Sequence, residues 1–159
     1  YLQKALTLDL GKKEDTFSKG KIYYYLGDYT NAITYLLKEP RNPESNLYLG
    51  KIYMATGDTT QAFLTFQQYL ESSPDNGDVY NQLGMMRFEE GAYQEALNYF
   101  QSGLGCNDLS ARKSLAFNEA VTYEYMLDFS TAKEKFKAYI DSYPDDAQAI
   151  KEYEFLKSR

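Results

Sequence analysis

Histidine is absent from this 159-residue chain. The commonest general base and the commonest metal-ligating side chain are therefore missing. There is no tryptophan and a single cysteine, Cys106, so neither an intrachain disulfide framework nor a cysteine zinc cluster can form. No apolar run approaches the roughly 20 residues that span a bilayer, so no membrane insertion by this segment is expected. Only 4 prolines and 10 glycines occur, which excludes collagen-like and low-complexity disordered classes. Lysine and arginine number 17 against 23 aspartates and glutamates, a formal charge of −6. Nucleic acid is not expected as a ligand, because its binding rests on neutralising phosphates, and an anionic membrane surface fits no better. No glycine loop of the phosphate-cradling kind occurs. The acidic pairs Glu89-Glu90 and Asp145-Asp146 are sequence neighbours, so they diverge on a helix or sit in a turn as solvated surface. An enzyme is not expected, and no cofactor or metal site is called for.

What is present is apolar, aromatic and periodic. Hydrophobic residues make up 43% of the chain, including 17 Tyr and 9 Phe, so many core rings carry a hydroxyl. Three turns, Gly27-Asp28-Tyr29, Gly57-Asp58-Thr59 and Gly91-Ala92-Tyr93, act as rulers, and Leu127-Asp128-Phe129 is a fourth with the glycine replaced. Their spacings are 30, 34 and 36 residues. Seven residues before each stands a small residue: Gly20, Gly50, Gly84 and Ala120. Five residues after each stands Ala32, Ala62, Ala96 or Ala132, and nine after stands Leu36, Phe66, Phe100 or Phe136. Small residues in two consecutive helices let them approach closely, and the large residue one turn later fills the groove between them. Glycine supplies a left-handed cap, the following aspartate accepts from the next helix's free amides, and Pro74 and Pro144 end second helices. Cys106 falls near the end of a second helix. A buried inert thiol and a reactive or dimer-bridging one are both open there.

These residues resemble the tetratricopeptide repeat, a 34-residue helix-turn-helix unit. In the second unit Leu49-Gly50 and Tyr53 match the first-helix slots, Ala62 and Phe66 the second-helix slots, and Pro74 the closing one. The resemblance implies an all-α fold, a right-handed α-solenoid of tandem antiparallel helix pairs with a C-terminal capping helix. As a single domain over 1–159, the chain divides into a second helix of a truncated repeat (1–10), repeats at 14–40, 43–74, 77–108 and 111–144, and a capping helix at 146–159. The first repeat departs by ending at Pro40, which leaves its second helix about one turn short. The third carries Arg87 where tyrosine is usual. The fourth has Leu127 for the turn glycine, which loosens that turn or forces a different cap. In the last helix Ala149, Ile150, Tyr153 and Leu156 make the apolar stripe, and Lys151, Glu152, Glu154 and Lys157 the wet side.

In this family first helices line a concave groove that binds a peptide or helix of a partner. By resemblance, the first repeat presents Glu14, Phe17, Lys21, Tyr24 and Tyr25, and the second Glu44, Leu47, Lys51, Met54 and Ala55. The third presents Asp78, Asn81, Met85, Phe88 and Glu89, and the fourth Ser114, Phe117, Val121, Glu124 and Tyr125. Of these, the partner-binding candidates are Phe17, Lys21, Tyr24, Tyr25, Leu47, Lys51, Met54, Asn81, Met85, Phe88, Phe117, Val121 and Tyr125. For each ring, packing of repeat on repeat is the competing role. Chaperone-binding members clamp a C-terminal carboxylate with Lys, Arg and Asn. Here those slots hold Phe17, Lys21, Tyr48, Asp78 and Gln82, and Asp78 would repel a carboxylate, so that specificity is not expected. The expected function is a non-catalytic protein-interaction scaffold. A self-association module, or the docking or sensory part of a larger protein, stands as the alternative. A weak homo-oligomer through Leu2, Leu6 and Leu8 at the truncated start is one form of the former. The start at Tyr1 reads as a cut. The one cysteine suits the cytosol, while an exported or lipid-anchored parent stays open.

Overall fold

The computed structural model describes residues 16–158. The helix expected over 1–10, the apolar leucines within it and Glu14 lie outside the described residues. Among the described residues there are nine helices and no strand. They are α1 (Thr16–Leu26), α2 (Tyr29–Leu36), α3 (Pro43–Thr56), α4 (Thr59–Ser72), α5 (Gly77–Glu89), α6 (Tyr93–Leu104), α7 (Arg112–Tyr125), α8 (Phe129–Ser142) and α9 (Ala147–Lys157). The chain forms two compact units, residues 1–74 and residues 75–159. Four helices of the first unit are described, and α5 to α9 form the second.

Each hairpin is held by the small-against-large pairing that the spacing predicts. A methyl placed on Gly50 would lie 2.5 Å from the Phe66 ring, and one on Gly84 would lie 2.4 Å from the Phe100 ring. Those are distances no real methyl occupies, so a methyl at either position would force its ring to shift. Gly20 meets Leu36 in the same way. Phe66, Phe100 and Phe136 are all fully buried. Each such ring contributes about 2–3 kcal/mol of apolar burial. In the last hairpin Ala120 and Phe136 share a core with Ala132, Tyr139, Ala149 and Leu156.

The four hairpin turns are built alike. At the first, the Gly27 N–H donates to the Tyr24 carbonyl (3.0 Å) and the Asp28 N–H to that of Tyr23 (3.0 Å). This is the paired bonding of a left-handed helix end. The same two bonds recur at Gly57, Gly91 and Leu127. Asp28, Asp58 and Asp128 then cap the following helix, each carboxylate accepting a backbone N–H three residues on. Ala92 holds nearly the same backbone geometry without a cap.

Two expectations need correction here. Leu127 neither loosens its turn nor changes its cap: it adopts φ +63°, beside +76°, +82° and +77° at the three glycines. The left-handed conformation costs an L residue about 1–2 kcal/mol, and the surrounding bonds hold it. The shortening of α2 also exceeds one turn, for α2 has 8 residues and α4 has 14. The helix ends at Leu36, four residues before Pro40, and a turn closes it through the Glu39 N–H to the Leu36 carbonyl (3.0 Å).

At the C-terminal end, α9 packs on α8. Ala149 and Leu156 are buried, and Tyr153 packs against their cluster. Ile150, expected in that stripe, is 37% exposed. Burial follows the 149-153-156 spacing, which turns position 150 outward. The helix is anchored by Asp146, whose Oδ1 caps it and whose Oδ2 accepts the Tyr139 hydroxyl (2.8 Å) and pairs with Lys113 (3.1 Å). Those bonds, the Tyr139 hydroxyl foremost, hold the Asp146 carboxyl below the usual range.

Candidate functional site

In residues 1–74 the first-helix faces of α1 and α3 meet in a ring cluster centred on Tyr48. Its ring stands edge-on to Tyr24 (5.1 Å between centroids), Phe17 (6.1 Å) and Tyr25 (6.2 Å). The Tyr25 and Tyr48 hydroxyls lie 3.2 Å apart. Lys21 places its ammonium 5.2 Å from the Phe17 ring centre and 5.6 Å from that of Tyr48, and Lys51 also approaches Tyr48 at 5.6 Å. A cation over a ring face is attracted by its quadrupole, so the two lysines sit on the cluster. Burial, followed by the hydrogen bond that the Tyr48 hydroxyl shares with Tyr25, pushes the Tyr48 hydroxyl up to about 12. Burial also raises Tyr24, with Tyr29 and Tyr25 adding to it. Both stay neutral hydrogen-bonding groups at ordinary pH.

In residues 75–159 the corresponding faces of α5 and α7, with α9 beside them, leave an open cleft of about 610 Å³. Five of the sequence-derived candidates line it: Met85, Phe88, Phe117, Val121 and Tyr125. Phe88 stands edge-on to Tyr125 at 4.9 Å, and Tyr93 packs on both. Phe117 has two roles, since its ring also packs on Phe136 (5.7 Å) and Tyr139 (5.6 Å). The mouth is apolar and wet at once: Tyr125 is 57% exposed, Leu127 72% and Phe155 45%. Glu124 and Glu152 also line the cleft, and neither lysine nor arginine is among its described lining residues.

The structure thus gathers Phe17, Lys21, Tyr24, Tyr25 and Lys51 in one cluster, and Met85, Phe88, Phe117, Val121 and Tyr125 in one cleft. Leu47 and Met54 lie on the same side of α3 as Lys51, half-buried and exposed respectively, outside the ring cluster. Asn81 stands beside the cleft, accepting at 2.8 Å from the Asn118 amide. Sequence reasoning left out Tyr48, which it read only as a clamp slot, and Asn118, Leu127, Phe129, Gln148, Glu152 and Phe155 of the cleft. Glu152 is half-buried there, whereas its expected place was the wet side of α9. A usable signal existed for Phe155, a large aromatic off the stripe formed by Ala149, Tyr153 and Leu156.

Cys106 is buried just beyond the end of α6, and burial, then the Asp75 carboxylate, pushes its thiol up, away from the reactive thiolate. Among the described residues no cluster of three or more acidic or thiol side chains could hold a metal ion. No helix among them is long and apolar enough to cross a membrane. The arrangement offers contact area, aromatic faces and charge, which are the means of recognition.

Comparison with known proteins agrees with this architecture. One model of the tetratricopeptide repeat matches residues 17–77 and 49–111, and a second matches 115–146. The BBSome complex member BBS4 of Bos taurus is 28% identical over 121 residues, covering 74% of this chain, and the chain spans 23% of that relative's length. Among solved structures, MamA superposes with a TM-score of 0.77 at 22% identity, over 90% of this chain and 79% of MamA. YrrB, described as a TPR protein with an unusual peptide-binding site, gives 0.77 at 16% identity, over 99% of this chain and 82% of YrrB. At such identities the two solved structures share the fold.

Proposed function

Because this chain belongs to the tetratricopeptide repeat family, we propose that it is a non-catalytic protein-interaction scaffold whose α5–α7–α9 cleft receives a peptide or helix of a partner protein. The observation that carries this reading is the cleft itself. Its volume lies within the range of roughly 300–1,000 Å³ typical of binding sites. First-helix side chains line it, and large apolar residues stay exposed at its mouth, the mark of an interaction surface. The bovine relative is by name a member of a complex and YrrB is described as peptide-binding, and both fit a scaffold. The tyrosine-lysine cluster of residues 1–74 offers a second recognition face of different character.

The test is a double substitution, Tyr125→Ala with Phe155→Ala, because both side chains are exposed at the cleft and outside the buried core. Phe117 is unsuitable, since its loss would also strip packing from Phe136 and Tyr139. Peptides selected from a random library on the intact chain should bind the double variant about tenfold more weakly, the loss expected for two partial aromatic anchors. Circular dichroism should stay unchanged. Equal affinity for the variant would remove the cleft as the binding site.

A further inference from the structure

We propose that the α5–α7–α9 cleft selects a basic-apolar segment, one large apolar side chain flanked by lysine or arginine, and that Leu127 is its specificity-determining wall. The inference rests on the peptide-binding reading above and adds the chemistry of the occupant.

Charge is the first support. Residues 75–159 carry 15 Asp and Glu against 9 Lys and Arg, so the whole of the chain's −6 lies in this unit, whereas residues 1–74 carry 8 of each. Within the cleft the bias is stronger, with Glu124 and Glu152 and no described cation lining it. A segment entering this site passes one carboxylate on α7 and one on α9. An acidic segment would be repelled there, and a neutral one would gain nothing from these carboxylates.

The second support is the identity of residue 127. At three of the four equivalent turns the left-handed position holds glycine, and at the fourth it holds leucine in the same conformation with the same two backbone bonds. Backbone geometry gives no reason for leucine, since glycine adopts this conformation without strain. The side chain has a location instead. It lines the cleft and is 72% exposed there, beside Tyr125. The other three turns present no side chain at this point, so Leu127 changes the mouth of this cleft and leaves the hairpin unaltered. Phe88, Met85 and Val121 add apolar lining to the same cleft.

Selection of random short peptides on the intact protein tests both parts, followed by affinity measurements against Leu127→Gly and Glu124→Gln/Glu152→Gln. The recovered peptides should share a large apolar residue flanked by lysine or arginine. The double glutamine variant should bind them about fivefold more weakly and lose most of the salt dependence, as expected for two rim charges. Leu127→Gly should weaken binding by a similar factor of about five while melting at an equal or higher temperature, which separates a lost contact from a lost fold. Recovered peptides that are acidic or uncharged, or that bind both variants as well as the parent, would overturn this inference and leave a peptide-binding cleft standing. Failure to recover any peptide would overturn both.

Discussion

Tyr48 and Asn118 occupy the same place in their repeats, nine residues before the turn, and Phe17 and Asn81 likewise stand ten before theirs. In residues 1–74 the pair is two rings edge to face at 6.1 Å, with Tyr24 and Tyr25 packed around them. In residues 75–159 the pair is two amides joined by a 2.8 Å hydrogen bond, with an open cleft nearby. The backbone register is shared, so the difference lies in side-chain volume. Rings at these slots fill the face between first helices, and short amides leave room for an occupant. One repeat grammar therefore yields a face filled by its own rings in one unit and a face with an open cleft in the other.

Exchanging the two residues breaks the comparison most sharply. Tyr48→Asn removes the centre of the ring cluster and should destabilise residues 1–74 by about 2 kcal/mol, below the cost of a fully buried ring because Tyr48 is only half-buried. Hydrogen exchange would show the loss in α1 and α3. The converse Asn118→Tyr should fill the cleft and abolish peptide binding while α7 stays folded. If peptides still bind, side-chain volume at this slot does not govern access.

A pH titration sharpens the same contrast. The Tyr48 hydroxyl is raised, so its neutral form is favoured by folding, and the stability it contributes is present below the unfolded value near 10. That stability disappears as pH rises from about 10 through about 12. Protection of α1 and α3 should fall across this window, and Tyr48→Phe should flatten the fall. An unchanged alkaline transition in the variant would show that the hydroxyl is not responsible.

Much of this was legible because it is periodic. Gly50 opposite Phe66 and Gly84 opposite Phe100 follow from fixed offsets, since a helical hairpin converts sequence distance directly into facing positions. The residues of the cleft were half legible for the same reason: Met85, Phe88, Phe117, Val121 and Tyr125 occupy repeat slots. What the slots omit are contributions from outside a repeat's first helix. Phe155 and Glu152 come from α9, which belongs to no hairpin among the described residues, and Leu127 comes from a turn where the repeat expects no side chain. The Tyr48 cluster was missed because partnership across two first helices depends on the stagger between repeats, and spacing within a repeat does not encode it.

Leu127 also sets a stability difference between otherwise equal turns. Leu127→Gly should stabilise residues 75–159 by about 1 kcal/mol, the left-handed strain less the extra backbone freedom of unfolded glycine. Thermal melting of this unit should rise by roughly 4–8 °C. A fall instead would mean that the leucine side chain contributes more to the fold through Tyr125 and Phe129 than its backbone costs.

The smallest effect concerns the cap. Asp28, Asp58 and Asp128 start their helices at φ −84° with ψ 71–75°, and Ala92 already sits at φ −82°, ψ 61°. Ala92→Asp therefore needs no backbone rearrangement to place a carboxylate against the free N–H of Glu95. A capping aspartate is worth about 1 kcal/mol. Here Glu95 stands in the first turn of α6 and pairs with Arg87 at 3.3 Å, and Arg87 also pairs with Glu90. A third carboxylate beside this trio is partly repelled, so the gain should shrink to about 0.5 kcal/mol. Urea denaturation at low and high salt separates the two contributions: screening should raise the gain toward the full cap value. A gain that falls with salt would mean that the introduced carboxylate acts through Arg87 rather than through the helix amides.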